Sequence, residues 1–284
     1  MLALDVHRLN KSYEHFQLKD VSFQLKKGYI MGFIGANGAG KTTTIKSILQ
    51  MIHIDSGEIR ILGKHIAEHE LALKQDIGFA FGDVNFYTRT KIRTLTNVIK
   101  PFYHNWDEEA YYNYLKKFNL NENKKIAELS TGMKVKYNLA IALSHGAKLL
   151  VLDEPTSGLD PVARDSLLDT FQDLVMDGEI SILYSTHITS DLEKCADYIT
   201  FIHNGHIINS TDKEQFIDSY RLVNGQAEQL DGIKNKLIAY KTNSFGFTGL
   251  MHTTDFDPSL GLKAALPNLE EIMIYFAKTE DSYV

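Results

Sequence analysis

Short, continuous apolar runs occur in this chain at positions 29–34, 77–81, 148–152 and 180–185. Runs of this length are typical of parallel strands that are buried on both faces of a sheet. Between them, apolar residues recur at the spacing of a helix, as in the stripes that end at Phe118, Ser144 and Val175. Strands that alternate with helices predict an α/β sheet whose ligand binds at the carboxyl ends of the strands.

Other parts of the chain show different patterns. Alternating residues before position 30 predict strands, and 84–145 reads as mostly helical, with Leu95, Val98, Ile99 and Phe102 on one face. For the stripe Tyr111, Tyr114, Leu115 and Phe118 we expect core packing rather than a stacking platform. We predict a main domain at 1–219, with a helical subdomain at about 84–145, and a small α+β accessory region at 220–284.

One motif dominates the chemistry of the sequence. It is the complete phosphate-binding loop Gly35, Ala36, Asn37, Gly38, Ala39, Gly40, Lys41, Thr42 and Thr43. An apolar run precedes it, and Ile45, Ile48, Leu49 and Ile52 follow at helical spacing. In that setting backbone N–H groups and the helix N-terminus bind a polyphosphate, a lysine reaches its terminal phosphates, and a hydroxyl ligates Mg²⁺. The sequence therefore predicts a nucleotide site built on Lys41 and Thr42.

Further polar residues follow the other apolar runs. Asp153 and Glu154 come directly after 148–152, and Thr186 and His187 come directly after 180–185. Two more polar segments begin helical stripes: Leu129-Ser130-Thr131-Gly132-Met133 and Ser157-Gly158-Leu159-Asp160. Because the carboxyl ends of parallel strands meet at one edge of a sheet, we expect Asp153, Glu154 and His187 beside the phosphate-binding loop.

Taken together, these motifs resemble the ATP-binding subunit of ABC transporters over about residues 1–215. The resemblance implies a P-loop ABC-type nucleotide-binding domain, with a RecA-like core, an antiparallel β subdomain and a helical subdomain, that uses ATP and Mg²⁺. It implies that Asp153 serves the metal and Glu154 is the general base. It also implies that His187 contacts the γ-phosphate.

Three roles depend wholly on the resemblance. Residues 129–133 are similar to the family's signature, so Ser130, Thr131 and Gly132 would contact ATP on a partner subunit, with Asp160 in the adjoining D-loop. A plain helix cap at Ser130 is the alternative. Tyr13 matches the aromatic that stacks on adenine, and the alternative is a core tyrosine.

The sequence departs from the family's pattern at Gly82-Asp83, where a strand-end glutamine is expected. Either Asp83 takes over the metal contact, or the loop works without it. In the signature, Thr131 and Met133 also replace a glycine and a glutamine.

Charge and composition narrow the class of protein. The net charge is −6, and no cluster of lysine and arginine is present, so we expect no nucleic-acid partner. No stretch reads as a signal peptide or membrane span, and for the lone Cys195 we expect packing in a reducing compartment. We expect a cytoplasmic protein held at the inner face of the membrane by separate permease subunits.

These observations predict the ATPase motor of an ABC transporter that works as a homodimer or heterodimer. The helix at 269–276 and the Gly-Met-Lys ending of the signature resemble Gram-positive peptide-antibiotic exporters, including those of staphylococcal phenol-soluble modulins. Two alternatives remain: a regulatory ABC module with little hydrolysis, and a non-transport ABC ATPase.

Overall fold

A computed structural model describes residues 1–81 and 87–281. Its strands are β1 (Leu2–Ser12), β2 (Gln17–Lys26), β3 (Ile30–Ile34), β4 (Ser56–Ile61), β5 (Lys64–His65), β6 (Ile77–Phe81), β7 (Leu149–Asp153), β8 (Ser181–Thr186), β9 (Tyr198–His203), β10 (His206–Asp212), β11 (Tyr220–Gly225), β12 (Leu237–Asn243), β13 (Gly246–His252) and β14 (Lys263–Ala265). Its α-helices are α1 (Lys41–Ile48), α2 (Ile66–Lys74), α3 (Ile92–Ile99), α4 (Glu108–Lys117), α5 (Thr131–Ser144), α6 (Pro161–Val175), α7 (Thr189–Cys195), α8 (Lys213–Asp218), α9 (Ala227–Ile233) and α10 (Leu269–Asp281).

The central sheet contains the apolar runs of the sequence. Its order is β10-β9-β3-β8-β7-β6, and all neighbours are parallel except the β9–β10 hairpin. Every residue of β3, β7 and β8 is buried, because helices or the second sheet cover both faces. The predicted α/β fold is confirmed. In the register of this sheet Ile34 lies opposite Thr186, and Asp153 opposite Ser185, so the carboxyl ends of β3, β8 and β7 align.

The second sheet is antiparallel, in the order β2-β1-β4-β5, and β1 and β2 are the strands that the alternating pattern before position 30 predicts. Its apolar face packs on the central sheet, where the rings of Phe23 and Phe33 stack with centroids 5.3 Å apart. This layer holds β3, the strand that leads into the phosphate-binding loop, from one side.

The helices α3, α4 and α5 form a separate layer. Tyr111, Leu115 and Phe118 are buried, and Asp107 caps α4 by accepting a hydrogen bond from the Ala110 N–H at 2.9 Å. The expectation that this aromatic stripe packs in the core is confirmed.

Two expectations about helix faces are wrong. On α3 the fully buried residues are Ile92 and Thr96, whereas Val98 and Phe102 are 60% and 71% exposed, the latter because it falls in a 3₁₀ turn after the helix. The helix α1 ends at Ile48 and excludes Ile52, since Gln50 turns the chain with a left-handed φ of 54°.

The C-terminal strands form a third sheet in the order β12-β13-β11-β14. The helix α10 joins this sheet to the central one: Phe276 contacts Phe201 of β9 at 5.1 Å and Tyr220 of β11 at 5.8 Å between ring centroids. The Leu269 N–H at its start donates to Glu193 of α7 at 3.1 Å. Residues of α10 therefore belong to the same hydrophobic core as the central sheet.

Across residues 1–81 and 87–281, the helices are too short or too polar to cross a bilayer.

Candidate nucleotide-binding and catalytic site

The phosphate-binding loop connects β3 to α1. Gly40 precedes α1 with φ 113°, a left-handed backbone that disfavours residues with a Cβ. At Gly35 a Cβ would come within 2.4 Å of the Ile202 carbonyl oxygen on β9. The close approach of two backbones therefore requires glycine at Gly35. Asn37 and Gly38, at the tip of the loop, are exposed.

The Lys41 side chain is buried against this loop. Its Nζ donates to the carbonyl oxygens of Gly35 at 2.8 Å and Ala36 at 3.2 Å, and lies 3.6 Å from Glu154 Oε1. Burial lowers the pKa of the ammonium group, and the Glu154 carboxylate opposes that change. The positive charge of Lys41 is thus only partly compensated by Glu154, and the site therefore favours an anion such as a terminal phosphate.

Thr42 and Asp153 bring oxygen atoms together at the start of α1. The Thr42 hydroxyl donates to Asp153 Oδ2 at 2.9 Å, and Asp153 Oδ1 accepts a short hydrogen bond from the Ser185 hydroxyl. Carboxylate and hydroxyl oxygens are hard ligands of the kind that Mg²⁺ prefers. The donor set fits Mg²⁺. Asp83, the other metal candidate, lies outside the described residues, as does Gly82.

Glu154 lies between a cation and an imidazole. Its Oε2 is 2.8 Å from His187 Nδ1, while its Oε1 faces Lys41. Its backbone has φ 50°, a left-handed value that is costly for a residue with a Cβ. The Glu154 N–H donates to the Ser185 carbonyl at 3.0 Å, which helps to hold this conformation. The structure thus brings Lys41, Glu154 and His187 into one cluster.

Ser130 and Asp160 are both helix caps in this chain. The Ser130 hydroxyl accepts from the Met133 N–H at 3.3 Å, and Asp160 accepts from the Val162 and Ala163 N–H groups, each at 3.0 Å. The local capping role of Ser130 is therefore confirmed. These two helix N-termini are packed together, since a Cβ at Gly132 would meet the Leu159 side chain at 3.2 Å.

Tyr13 is 49% exposed, so the alternative of a core tyrosine is wrong. The ammonium of Lys11 lies 5.4 Å from the centroid of its ring. The Tyr13 N–H donates to the Phe16 carbonyl at 2.7 Å, and the Phe16 ring lies against Gly40 of the phosphate-binding loop. An exposed ring thus stands on a short turn that contacts this loop.

Comparisons with known proteins agree with this geometry. A protein-family model described as "ABC transporter" matches residues 18–157. The ABC transporter ATP-binding protein YtrB of Bacillus subtilis is 33% identical over 218 residues, which are 76% of this chain and 74% of YtrB. The chain belongs to the family of ABC transporter ATP-binding subunits.

Two further ABC relatives have more specific names. The lantibiotic transport ATP-binding protein SrtF of Streptococcus pyogenes is 30% identical, over 78% of this chain and 96% of SrtF. The bacitracin transport ATP-binding protein BcrA of Bacillus licheniformis is 34% identical, over 70% of this chain and 64% of BcrA. Among solved structures, an ATP-binding subunit of an ABC transporter superposes with a TM-score of 0.68 at 28% identity, covering 75% of this chain and 91% of that one.

Ser185 is a site residue of this ABC subunit that lies outside the sequence motifs. Its hydroxyl donates to the Asp153 carboxylate, and its carbonyl oxygen accepts from the Glu154 N–H. A serine near the end of a buried apolar strand, two residues before His187, was the available signal. A buried hydroxyl at that position needs a hydrogen-bond partner, which a neighbouring strand can supply.

Proposed function

We propose that this chain hydrolyses MgATP at an interface with a second ATP-binding subunit and thereby drives export of a peptide or another amphipathic antimicrobial compound. Membership of the family makes it an ATPase whose activity is coupled to transport. The ATP-binding subunits of such exporters dimerise and work with separate transmembrane permease components.

The observation that carries the catalytic proposal is the position of Glu154. It contacts His187 on one side and faces the buried Lys41 on the other. In the proposed reaction Glu154 accepts a proton from the attacking water, and Lys41 and His187 contact the γ-phosphate, where charge develops. The phosphate oxygens would replace the Gly35 and Ala36 carbonyls as partners of Lys41.

For the metal we propose Thr42 and Asp153 as the residues that hold Mg²⁺, directly or through water. When bound, the ion neutralises charge on the β- and γ-phosphates. Asp83 is a further proposed contributor that replaces the family's glutamine. If so, Asp83→Ala raises the Mg²⁺ concentration needed for half-maximal turnover while metal-free ATP binding stays unchanged; an unchanged Mg²⁺ dependence contradicts this role.

The remaining residues complete the nucleotide site. The loop from Gly35 to Thr43 binds the phosphates, and Tyr13 stacks on adenine, for which its exposed ring is suited. On the opposite subunit Ser130, Thr131, Gly132 and Asp160 would supply the second half of the site. The N-termini of α5 and α6 would then face the γ-phosphate, an arrangement that favours an anion. Both a homodimer and a heterodimer satisfy this scheme.

The substrate proposal comes from the named relatives. SrtF and BcrA are named for transport of lantibiotics and of bacitracin, both antimicrobial compounds. Amphipathic peptides such as phenol-soluble modulins belong to the same chemical class, and the sequence resemblance favours them. We propose that residues 1–219 are the motor, that 220–284 are an accessory region, and that the permease holds the subunit at the inner face of the membrane.

This proposal is tested in cells that carry the permease and lack the chain. Reintroducing the chain should restore growth in the presence of a lantibiotic, bacitracin or a phenol-soluble modulin, and Glu154→Gln should not restore it although it is expressed equally. Purified chain that binds ATP without turnover would instead favour the regulatory module. If the chain hydrolyses ATP but does not change resistance to these peptides, the proposed substrate class is wrong and the proposed ATPase role stands.

A further inference from the structure

A buried polar cluster lies behind the catalytic residues. It consists of Thr156, Tyr184 and Asp191, which we call the Asp191 cluster. The Thr156 hydroxyl and the Tyr184 hydroxyl donate to the same oxygen, Asp191 Oδ2, at 2.7 and 2.8 Å, and their own oxygens are 2.7 Å apart. All three residues are at most 1% exposed. None of them belongs to the nucleotide-binding motifs described above.

The cluster joins three segments that carry or follow catalytic residues. Thr156 is two residues after Glu154, Tyr184 is on β8 three residues before His187, and Asp191 is on α7 four residues after His187. The chain on both sides of His187 is therefore fastened to the chain that follows Glu154. Glu154 and His187 themselves are only 2.8 Å apart in front of this cluster.

Burial of the Asp191 carboxylate costs free energy of folding. A buried carboxylate loses its hydration, and its nearest described cation is the Arg164 guanidinium, whose Nε is 3.9 Å from Asp191 Oδ1. This Nε is buried and makes no hydrogen bond with the described residues. Burial and the nearby carboxylate raise the pKa of the Tyr184 hydroxyl, so it stays protonated and donates. Apolar side chains of similar volume would fill the space without this cost.

We propose that Asp191, with Thr156 and Tyr184, is a positioning residue for ATP hydrolysis that fixes the contact between Glu154 and His187. The inference rests on the proposed catalytic roles of these two residues. Glu154 is held on a left-handed backbone and His187 is 43% exposed, so neither is fixed by burial alone. A displacement of about 1 Å in such a pair lowers turnover by about a hundredfold. Hydrogen bonds to one shared carboxylate oxygen restrict this displacement.

The test uses the full-length protein and variants that remove one hydroxyl at nearly constant volume. We expect Thr156→Val and Tyr184→Phe each to lower kcat for ATP by about tenfold or more, with Kd for ATP changed by less than about twofold. Thr156→Ser keeps the hydroxyl and should restore kcat. Thr156→Val and Tyr184→Phe test the same contact, so one of them is sufficient if the other fails to fold.

The matched control is Thr96→Val. The Thr96 hydroxyl is also buried and contacts two tyrosine hydroxyls, Tyr111 at 2.8 Å and Tyr137 at 2.9 Å, among the helices α3, α4 and α5. This variant should lose stability to a similar extent in thermal unfolding, yet keep kcat. If Thr96→Val lowers kcat as much as Thr156→Val, loss of stability explains both and the positioning role is wrong.

Non-additivity provides the decisive readout. In the Glu154→Gln background the Thr156→Val change should lower the residual turnover by less than about twofold, because the group that it positions is already gone. Full additivity would overturn the inference. If Glu154→Gln itself keeps normal turnover, the catalytic proposal fails; if that variant is inactive and Thr156→Val is normal, only the positioning role fails.

Discussion

Replacement of Glu154 by glutamine is the most informative single change in the site. It keeps the volume of the side chain and removes its charge. Glu154 Oε1 lies 3.6 Å from Lys41 Nζ, a separation at which two unit charges attract by about 5 kcal/mol at an effective dielectric constant of about 20, before desolvation offsets most of it. The same negative charge repels the terminal phosphate of bound ATP.

Two opposite effects on function follow for this variant. Loss of a general base lowers kcat by about 10²–10⁴, which corresponds to about 2.7–5.5 kcal/mol of activation free energy. ATP affinity should be equal or higher, because Lys41 keeps its charge and the phosphate no longer faces a carboxylate. Phosphate release at saturating ATP measures kcat, equilibrium binding with a fluorescent ATP analogue measures Kd, and gel filtration detects an ATP-bound dimer.

The matched control is Glu179→Gln. Glu179 also forms an ion pair with a lysine, Lys27, at 2.8 Å, but its side chain is 67% exposed and it lies two residues before β8, at the end of this strand opposite the phosphate-binding loop. This variant should keep both kcat and Kd. Turnover of Glu154→Gln within about threefold of the unmodified protein, well short of the loss expected for a general base, would refute the role given to Glu154.

Three further changes test other parts of the structure. Tyr13→Ala should raise Kd for ATP about ten- to a hundredfold without lowering Tm, because the ring is half-exposed; equal affinity measured by titration would contradict adenine stacking. Because burial lowers the pKa of Lys41, this lysine is protonated more in the unfolded chain than in the folded one as pH approaches 10.5, so its own contribution to the free energy of unfolding rises with pH there. Buried tyrosines such as Tyr111 have raised pKa values and act in the opposite direction, so the readout is a difference: Lys41→Met should lower the slope of the free energy of unfolding against pH in urea titrations without nucleotide. Phe276→Ala should cost about 3–5 kcal/mol and lower Tm on the order of 10 °C, since the ring is buried against Phe201 and Tyr220; a calorimetric shift below about 2 °C would mean that α10 packs more loosely than described.

The sequence was sufficient to predict the parts of the site that backbone topology dictates. Parallel strands end at one edge of the sheet, so residues directly after β3, β7 and β8 had to converge, and Lys41, Glu154 and His187 do. Asp107, as the cap of α4, was equally predictable, since the cap is a local interaction.

What the sequence did not predict depends on tertiary contacts. Ser185 and Asp191 read as ordinary residues of a strand and a short helix, because their partners are distant in the chain. Periodicity also placed Val98 and Phe102 on one face with Leu95 and Ile99, although Phe102 lies in a 3₁₀ turn after α3 and Val98, within α3, is exposed. Hydrophobic spacing defines a face only as far as the helix continues.

The packing of α10 has a consequence for protein engineering. Phe276 lies on Phe201, and the next residue of that strand, Ile202, has the carbonyl that approaches Gly35 of the phosphate-binding loop. Exchange of the C-terminal region between relatives therefore changes the support of a strand that borders the phosphate-binding loop. A chimera joined at residue 219 has to retain complementary side chains at Phe201 and Glu193, because these contact the incoming helix. Exchange of this region within the family is therefore constrained by residues of the protein that receives the segment, as well as by the segment itself.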